Sequence, residues 1–250
     1  MKNKKVAIIT GGNKGIGLGI TKKFIEAGYF VIIGARTNIE IEKKYFSNIS
    51  FIKSDVSDEK SHIKLVDEAI KNHGRLDCYI NNAGFSAWRP IDKIDNKFLS
   101  NLLNTNLKSA FWGCKIASNS LQKNGSIINI SSIAGKRGSK NNSAYVASKF
   151  GMNGLTQSLA KELGYKGVRV NAVCPVLIET DGLVSALKEE YSPAKNNPVD
   201  FIKDFSDNNS ALKRMPTSEE VGDLCVFLAS EKASAITGQC INIDCGVLPQ

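Results

Sequence analysis

The sequence predicts an α/β fold: one doubly wound domain over residues 1–250, with a seven-stranded, mostly parallel sheet and helices on both faces. Three observations predict it. Seven short apolar, β-branched runs recur along the chain, stretches of helical period fill the intervals, and a glycine-rich turn joins the first run to the first helical stretch. With 250 residues, 42% of them hydrophobic, the chain can bury one sizeable core. No Pro-rich, Ser-rich or acidic block marks a linker, and no internal repeat breaks the rhythm.

The strands fall at 5–10 (KVAIIT), 29–35 (YFVIIGA), 49–54 (ISFIKS), 76–82 (LDCYINN), 125–131 (GSIINIS), 168–174 (VRVNAVC) and 239–244 (QCINID). Several are apolar at nearly every position, as expected of parallel strands covered on both faces. The turn after the first strand is TGGNKGIG, 10–17. Between the third and fourth strands, residues 57–73 read as a helix. Ile63, Val66, Ala69 and Ile70 would line its buried face, and Ser57, Asp58 and Glu59 suit its N-terminus. A long helix is expected to start near Ser143. Residues 181–216, rich in Pro, Asn and Asp with helical fragments, read as a lid over a substrate site, or else as a plain surface insertion.

Composition removes several classes. The net charge of +9 comes from dispersed lysines without interleaved aromatics or a nucleic-acid motif, which reads as a solvated basic surface and no nucleic-acid partner. Apolar runs of a few residues fall far short of the roughly 20 that cross a bilayer. MKNKK followed by VAII mimics a secretory signal, but TGG interrupts it before an apolar region forms, so the chain reads as cytoplasmic. Six cysteines without CxxC spacing fit reduced, mostly buried thiols. His62 and His73 are the two histidines, both assigned to a surface helix, which leaves no basis for a His-centred triad or a metal site.

Parallel α/β sheets bind ligands at the C-terminal ends of their strands, where the strand order reverses. There Gly11, Gly15 and Gly17 permit a tight turn, close approach to a phosphate and close helix packing, while the helix N-terminus offers N–H donors and a positive dipole end. The second strand ends in GARTN, with Arg36 where an acidic residue would bind a ribose 2′-hydroxyl. An arginine accommodates a 2′-phosphate, and Lys14 adds a second cation nearby, so NADP(H) is favoured over NAD(H). The alternative is that Lys14 and Arg36 are solvated surface charges.

The motifs then assemble. TGGNKGIG, the DVS at Asp55, NNAG at 81–84, Asn106 in NTNLKS, the serine pair Ser131 and Ser132, YVASK at 145–149 and CPVLIET up to Thr180 stand in the order and separation seen in one family. From about Lys5 to Gly246 the chain resembles the short-chain dehydrogenase/reductases, with their Rossmann-like domain, and within them the 3-oxoacyl carrier-protein reductases.

That resemblance implies a catalytic set of Asn106, Ser132, Tyr145 and Lys149. Tyr145 and Lys149 share one helix face, and the ammonium would lower the phenol pKa from its usual value of about 10 toward working range. Ser132 would hydrogen-bond the substrate oxygen, and Asn106 would hold a water in a proton relay. Hydride would pass between the nicotinamide and a carbonyl or secondary-alcohol carbon while Tyr145 moves the proton. The implied cofactor contacts are Gly11, Asn13, Lys14, Gly15, Ile16 and Gly17 at the phosphates, Arg36, Asp55 and Val56 at the adenosine, and Asn81, Asn82, Ala83 and Gly84 along the cofactor and central sheet. Tyr145 and Lys149 also hold the ribose, and Pro175, Ile178 and Thr180 reach the nicotinamide end. A homotetramer or homodimer acting on a small carbonyl or alcohol is the implied assembly.

Two residues depart from the family pattern: Val176 stands for a glycine after Pro175, and Cys245 for the middle residue of a DGG. Of two basic positions that would dock a carrier protein, one is Lys166 and the other reads Ser126, which puts such docking in doubt and leaves sugars, polyols and other ketones open. Phe85 and Trp88 either wall the pocket or pack the next helix. An NAD-linked dehydrogenase working oxidatively and a nucleotide-binding regulator without turnover are the alternative readings.

Overall fold

A computed structural model describes residues 4–38, 41–194 and 197–249. Its strands are β1 (Val6–Thr10), β2 (Phe30–Ala35), β3 (Ile49–Lys53), β4 (Leu76–Asn81), β5 (Leu121–Ile130), β6 (Arg169–Pro175) and β7 (Cys240–Ile243). They form one sheet in the order β3-β2-β1-β4-β5-β6-β7. Every pairing is parallel, where the sequence indicated only a mostly parallel sheet. The chain winds outward from β1 to β3 and returns beside β1 as β4, so the order reverses between β1 and β4.

Around the sheet lie α1 (Gly15–Glu26), α2 (Glu59–His73), α3 (Asn96–Leu103), α4 (Ser109–Ala117), α5 (Ser143–Leu163), α6 (Asp181–Leu187), α7 (Pro198–Asn209) and α8 (Ser218–Ala229). Alternate strand residues serve opposite faces. Ala7, Ile9, Ile33 and Ile128 meet Ile20 and Phe24 of α1 and Val221 and Leu228 of α8. Val6, Ile8, Ile32 and Ile127 meet Leu65 of α2, Ala110 of α4 and Met152 and Leu155 of α5. Each fully buried aliphatic side chain stabilises the fold by about 1.5–3 kcal/mol.

The α2 helix corrects one expectation. It starts at Glu59, with the Asp58 carboxylate accepting from the Lys60 N–H, and ends at Gly74 in a left-handed conformation with φ 73°. Its buried face is Ser61, His62, Leu65, Val66 and Ala69. Ile63 and Ile70 are 42% and 39% exposed. The buried stripe is rotated from the expected one because it includes His62, whose ring nitrogens are both hydrogen-bonded in the interior. A histidine therefore stands where an apolar residue would have marked the face, and His62 is not a surface residue.

The expected lid region carries α6 and α7 and a small apolar centre of its own, in which Trp88 packs with Ala186, Leu187, Ala194 and Ile202. Phe85 lies instead beside Leu102, Ala144 and Tyr145. All six cysteines are free, and Cys78, Cys114, Cys174 and Cys225 are buried. Among the described residues no group of His, Cys, Asp and Glu is placed to hold a metal, and no helix is long and apolar enough to cross a membrane.

Candidate active site

The turn between β1 and α1 is shaped by its glycines. Gly11 and Gly15 have φ of 64° and 53°, which other residues adopt at a cost. A Cβ on Gly17 would lie 2.1 Å from the Gly11 carbonyl oxygen, so helix and turn meet there with room for hydrogen alone. No side chain caps the N-terminus of α1, and its first turn holds no acidic residue. A helix start without a side-chain cap from its N-cap residue or a carboxylate in its first turn suits an anionic group such as a pyrophosphate. Lys14, the N-cap residue, is exposed. Asn13 is buried, and its amide donates to the Thr37 carbonyl and hydroxyl at 3.0 and 3.1 Å.

NNAG locks this turn to the sheet. The Asn82 amide donates to the Thr10 and Gly11 carbonyls at 2.8 and 3.2 Å, and the Thr10 hydroxyl accepts from the Asn82 and Ala83 N–H groups. Asn81 donates to Asn129 of β5 at 2.8 Å, and Asn129 donates to Thr156 of α5 at 2.9 Å, all three without solvent contact or nearly so. Asn81 and Asn82 thus act on the sheet and the turn. Thr10, the first residue of the TGGNKGIG motif, joins them, as do Asn129 and Thr156, which no motif in the sequence singled out.

On the neighbouring side, Arg36 is exposed at the end of β2, and Asp55 follows β3. The Ser57 N–H and hydroxyl both bond the Asp55 carboxylate, and with Arg36 nearby they hold its pKa below the usual range. Val56 is buried. Ile16 packs against the core of the α1 face, and Ile178 lies within that core. Thr180 caps α6, accepting from the Leu183 N–H at 3.2 Å. Its methyl lies 3.4 Å from where a Gly15 Cβ would be, which brings the segment after β6 onto the phosphate turn.

The four expected catalytic residues gather at the C-terminal ends of β4, β5 and β6. Ser132 caps a short 3₁₀ turn, accepting from the Ala134 N–H and donating to the Pro175 carbonyl at 3.4 Å. Its hydroxyl is near enough to the Tyr145 phenol to bear on that group's pKa. Lys149 is 5% exposed and lies 5.6 Å from the Tyr145 ring centroid, with its ammonium donating to the Ile130 carbonyl at 2.8 Å. Burial brings the Lys149 pKa down to about 8. For Tyr145, burial raises the pKa and the Ser132 hydroxyl opposes that rise. This differs from the expected lowering by Lys149: desolvation dominates, and the ammonium is engaged by a backbone carbonyl.

Asn106 sits in a π turn, Asn104–Lys108, between α3 and α4. Fully buried, it accepts from the Phe85 N–H at 3.0 Å and donates to the Phe85 carbonyl at 2.8 Å. A longer contact of 3.5 Å reaches Ser148, whose hydroxyl donates to the Tyr145 carbonyl. Asn106 therefore clamps the segment after NNAG and connects it to the Tyr145 helix. Gly84 stays small beneath it, since a Cβ there would approach Asn106 Oδ1 to 3.1 Å. Both departures from the family pattern have a visible setting. Val176 is buried, with its N–H pointing to the Ile243 carbonyl, and Cys245 has φ 54°.

Residues 11–248 match the family model described as enoyl-(acyl carrier protein) reductase. The chain belongs to the short-chain dehydrogenase/reductase family. It is 34% identical over 256 residues to L-2,3-butanediol dehydrogenase of Corynebacterium glutamicum, covering 98% of each chain. It is 35% identical over 255 residues to the 3-oxoacyl-[acyl-carrier-protein] reductase FabG of Chlamydia muridarum, covering 97% of each. The ligand-free aldohexose dehydrogenase of Thermoplasma acidophilum matches with a TM-score of 0.89 and 30% identity, over 98% of this chain and 94% of that one. As a member of this family, on the branch that includes FabG, the chain is an NAD(P)-linked oxidoreductase of CH–OH and carbonyl groups.

Proposed function

We propose that this chain is an NADP(H)-dependent oxidoreductase interconverting a carbonyl and a secondary alcohol, with Tyr145 as general acid and base. The observation that carries the proposal is the buried Lys149 ammonium 5.6 Å from the Tyr145 ring, one turn along the same helix, with a glycine turn that permits close backbone approach at the start of α1. When bound, the nicotinamide supplies or accepts the hydride. Ser132 orients the substrate oxygen and stabilises charge developing on it. Tyr145 delivers the proton to that oxygen, or removes it from the alcohol. The Lys149 ammonium, held by the Ile130 carbonyl, binds ribose hydroxyls, and Asn106 holds the relay water and the Phe85 segment.

Gly11, Asn13, Lys14, Gly15, Ile16 and Gly17 hold the phosphates in this proposal. Asp55 and Val56 border the adenine, Asn82, Ala83 and Gly84 border the ribose and nicotinamide, and Pro175, Ile178 and Thr180 close the nicotinamide end. Arg36 and Lys14 bind the 2′-phosphate; both are exposed at the mouth of the turn. Residues 1–250 act as one catalytic domain, with 181–216 as the substrate lid. The exposed Phe111 of α4 and Phe150 of α5 support a homodimer or homotetramer, and six free cysteines support a cytoplasmic setting.

The substrate proposed is a small ketone or alcohol. Ser126, at one of the two expected carrier-docking positions, is fully buried with its hydroxyl directed at the Leu228 carbonyl, so a docking cation has no place there. The butanediol dehydrogenase relative supports a second reading, an NAD-linked oxidative enzyme. Reduction of an acetoacetyl thioester and of a panel of ketones, with NADPH and NADH in parallel, separates the two. Preference for NADPH, with Arg36→Ala weakening NADPH but not NADH, is the expected result. Preference for NADH with Arg36→Ala neutral overturns the NADP reading.

A further inference from the structure

We infer that His62 is a positioning residue for the adenine end of the dinucleotide, acting from inside the fold through the Val56 carbonyl. The inference rests on the proposal that the 55–56 segment borders the adenine. His62 is fully buried on the sheet-facing side of α2. One ring nitrogen, Nε2, lies 2.9 Å from the Val56 carbonyl oxygen, and the other, Nδ1, lies 2.7 Å from the Tyr79 hydroxyl.

A carbonyl oxygen only accepts, so Nε2 carries the proton. In the neutral ring Nδ1 is then a bare acceptor, and the Tyr79 O–H donates into it. The two partners together fix a single tautomer and a single ring orientation. Burial also disfavours the charged ring, consistent with this neutral form.

Tyr79 is a firm support. It is fully buried in β4, paired in register with Ile8 and Ile127. A Cβ on Gly113 of α4 would meet the Tyr79 ring at 2.9 Å, so the ring is packed against that helix. The result is a continuous link from β4 through Tyr79 and His62 to the Val56 carbonyl. The neighbouring bonds of the segment are short-range or come from β2: Ser57 to the Asp55 carboxylate, Asp58 N–H to the Asp55 carbonyl, and Ser54 N–H to the Ala35 carbonyl. His62 adds the tie to β4, next to Asp55 and its Arg36 neighbour. A leucine at 62 would fill the space and leave the Val56 carbonyl and the Tyr79 hydroxyl without each other's bridge.

The test uses the full chain and three variants, His62→Leu, His62→Gln and Tyr79→Phe. Calorimetric titration with adenosine 2′,5′-bisphosphate reads the adenosine end alone. Fluorescence titration with reduced nicotinamide mononucleotide reads the other end. His62→Leu is expected to weaken the bisphosphate by about tenfold, the scale of one anchoring hydrogen bond, and to leave the mononucleotide within about twofold. His62→Gln, which keeps a donor for Val56, recovers part of the loss. Tyr79→Phe, which removes the group that orients the ring, loses about two- to fivefold. Should His62→Leu fail to fold, the Gln and Phe variants decide by the same measures. Unchanged bisphosphate affinity in the folded variants overturns the inference, and so does an equal loss for both probes, which marks a general structural effect. A wild-type protein that binds neither NADPH nor NADH overturns the proposed function instead.

Discussion

Replacing Gly17 by alanine separates a phosphate cradle from an ordinary helix start. Alanine is favoured over glycine inside a helix by about 1 kcal/mol, so propensity alone predicts stabilisation of α1. The structure opposes that gain. The new Cβ would stand 2.1 Å from the Gly11 carbonyl oxygen and 2.6 Å from Asn82 Nδ2. Carbon–oxygen contacts need roughly 3.3 Å, so turn and helix must separate by more than about 1 Å. Neither obstacle can swing aside: one is backbone, and the Asn82 amide is bonded to Thr10 and Gly11. Overpacking of this kind costs about 1–3 kcal/mol, and against backbone the upper end applies. The net loss is about 1–2 kcal/mol, a drop in Tm of about 2–8 °C for a chain of this length. NADPH affinity falls by about tenfold or more, because the displaced N–H groups are the ones proposed to meet the phosphates. Gly164→Ala is the control: φ −55° and ψ −38° are right-handed, and no atom lies within 4 Å of its ideal Cβ. It is expected to gain about 0.5–1 kcal/mol. Circular-dichroism melts and calorimetric NADPH titrations read both variants. A Gly17→Ala protein that melts at or above wild type and binds NADPH equally well shows that the turn has slack and that this geometry argument is wrong.

Cys245→Gly should stabilise: relief of the left-handed φ of 54° is worth about 1–2 kcal/mol, and the freer unfolded chain returns about 0.5–1. Urea denaturation should show a gain of up to about 1 kcal/mol, and a loss would indicate a packing role for the thiol. With the Lys149 pKa at about 8, kcat/KM for ketone reduction should fall as pH rises past about 8, and Lys149→Arg should move that limb to higher pH. A profile identical in the two proteins assigns the limb to another group. The His62 pKa is lowered by folding, so the unfolded chain takes up its proton first as the solution is acidified. Stability should therefore fall as pH drops below about 6.5, and denaturant midpoints for His62→Leu should be less sensitive across that window.

All seven strands were legible as short, mostly apolar runs, and the inner strands β1, β4 and β6 are buried at every position, as parallel strands covered on both faces are. The family resemblance pointed to Ser132, Tyr145 and Lys149, and the structure has the first just after β5 and the other two on α5. What sequence pattern could not supply was anything set by a partner distant along the chain. The α2 face was misplaced because His62 is made an interior residue by Tyr79, seventeen positions on. The direction of the Tyr145 pKa was missed because it depends on burial and on the Ile130 carbonyl that engages Lys149. Asn106 was marked by its motif, but its two bonds to the Phe85 backbone need the π turn that aims it. The separate apolar centre of the 181–216 region likewise joins Trp88 to residues about a hundred positions later.

The most direct measurement compares wild type with Tyr145→Phe, following loss of reduced-nicotinamide absorbance with an acetoacetyl thioester and the ketone panel. NADPH binding is titrated alongside. Tyr145 as the proton donor requires that removing one hydroxyl lowers turnover by about 10²–10⁴-fold while NADPH still binds. Turnover by Tyr145→Phe at a rate near wild type, with the same substrates, would show that the proton comes from elsewhere.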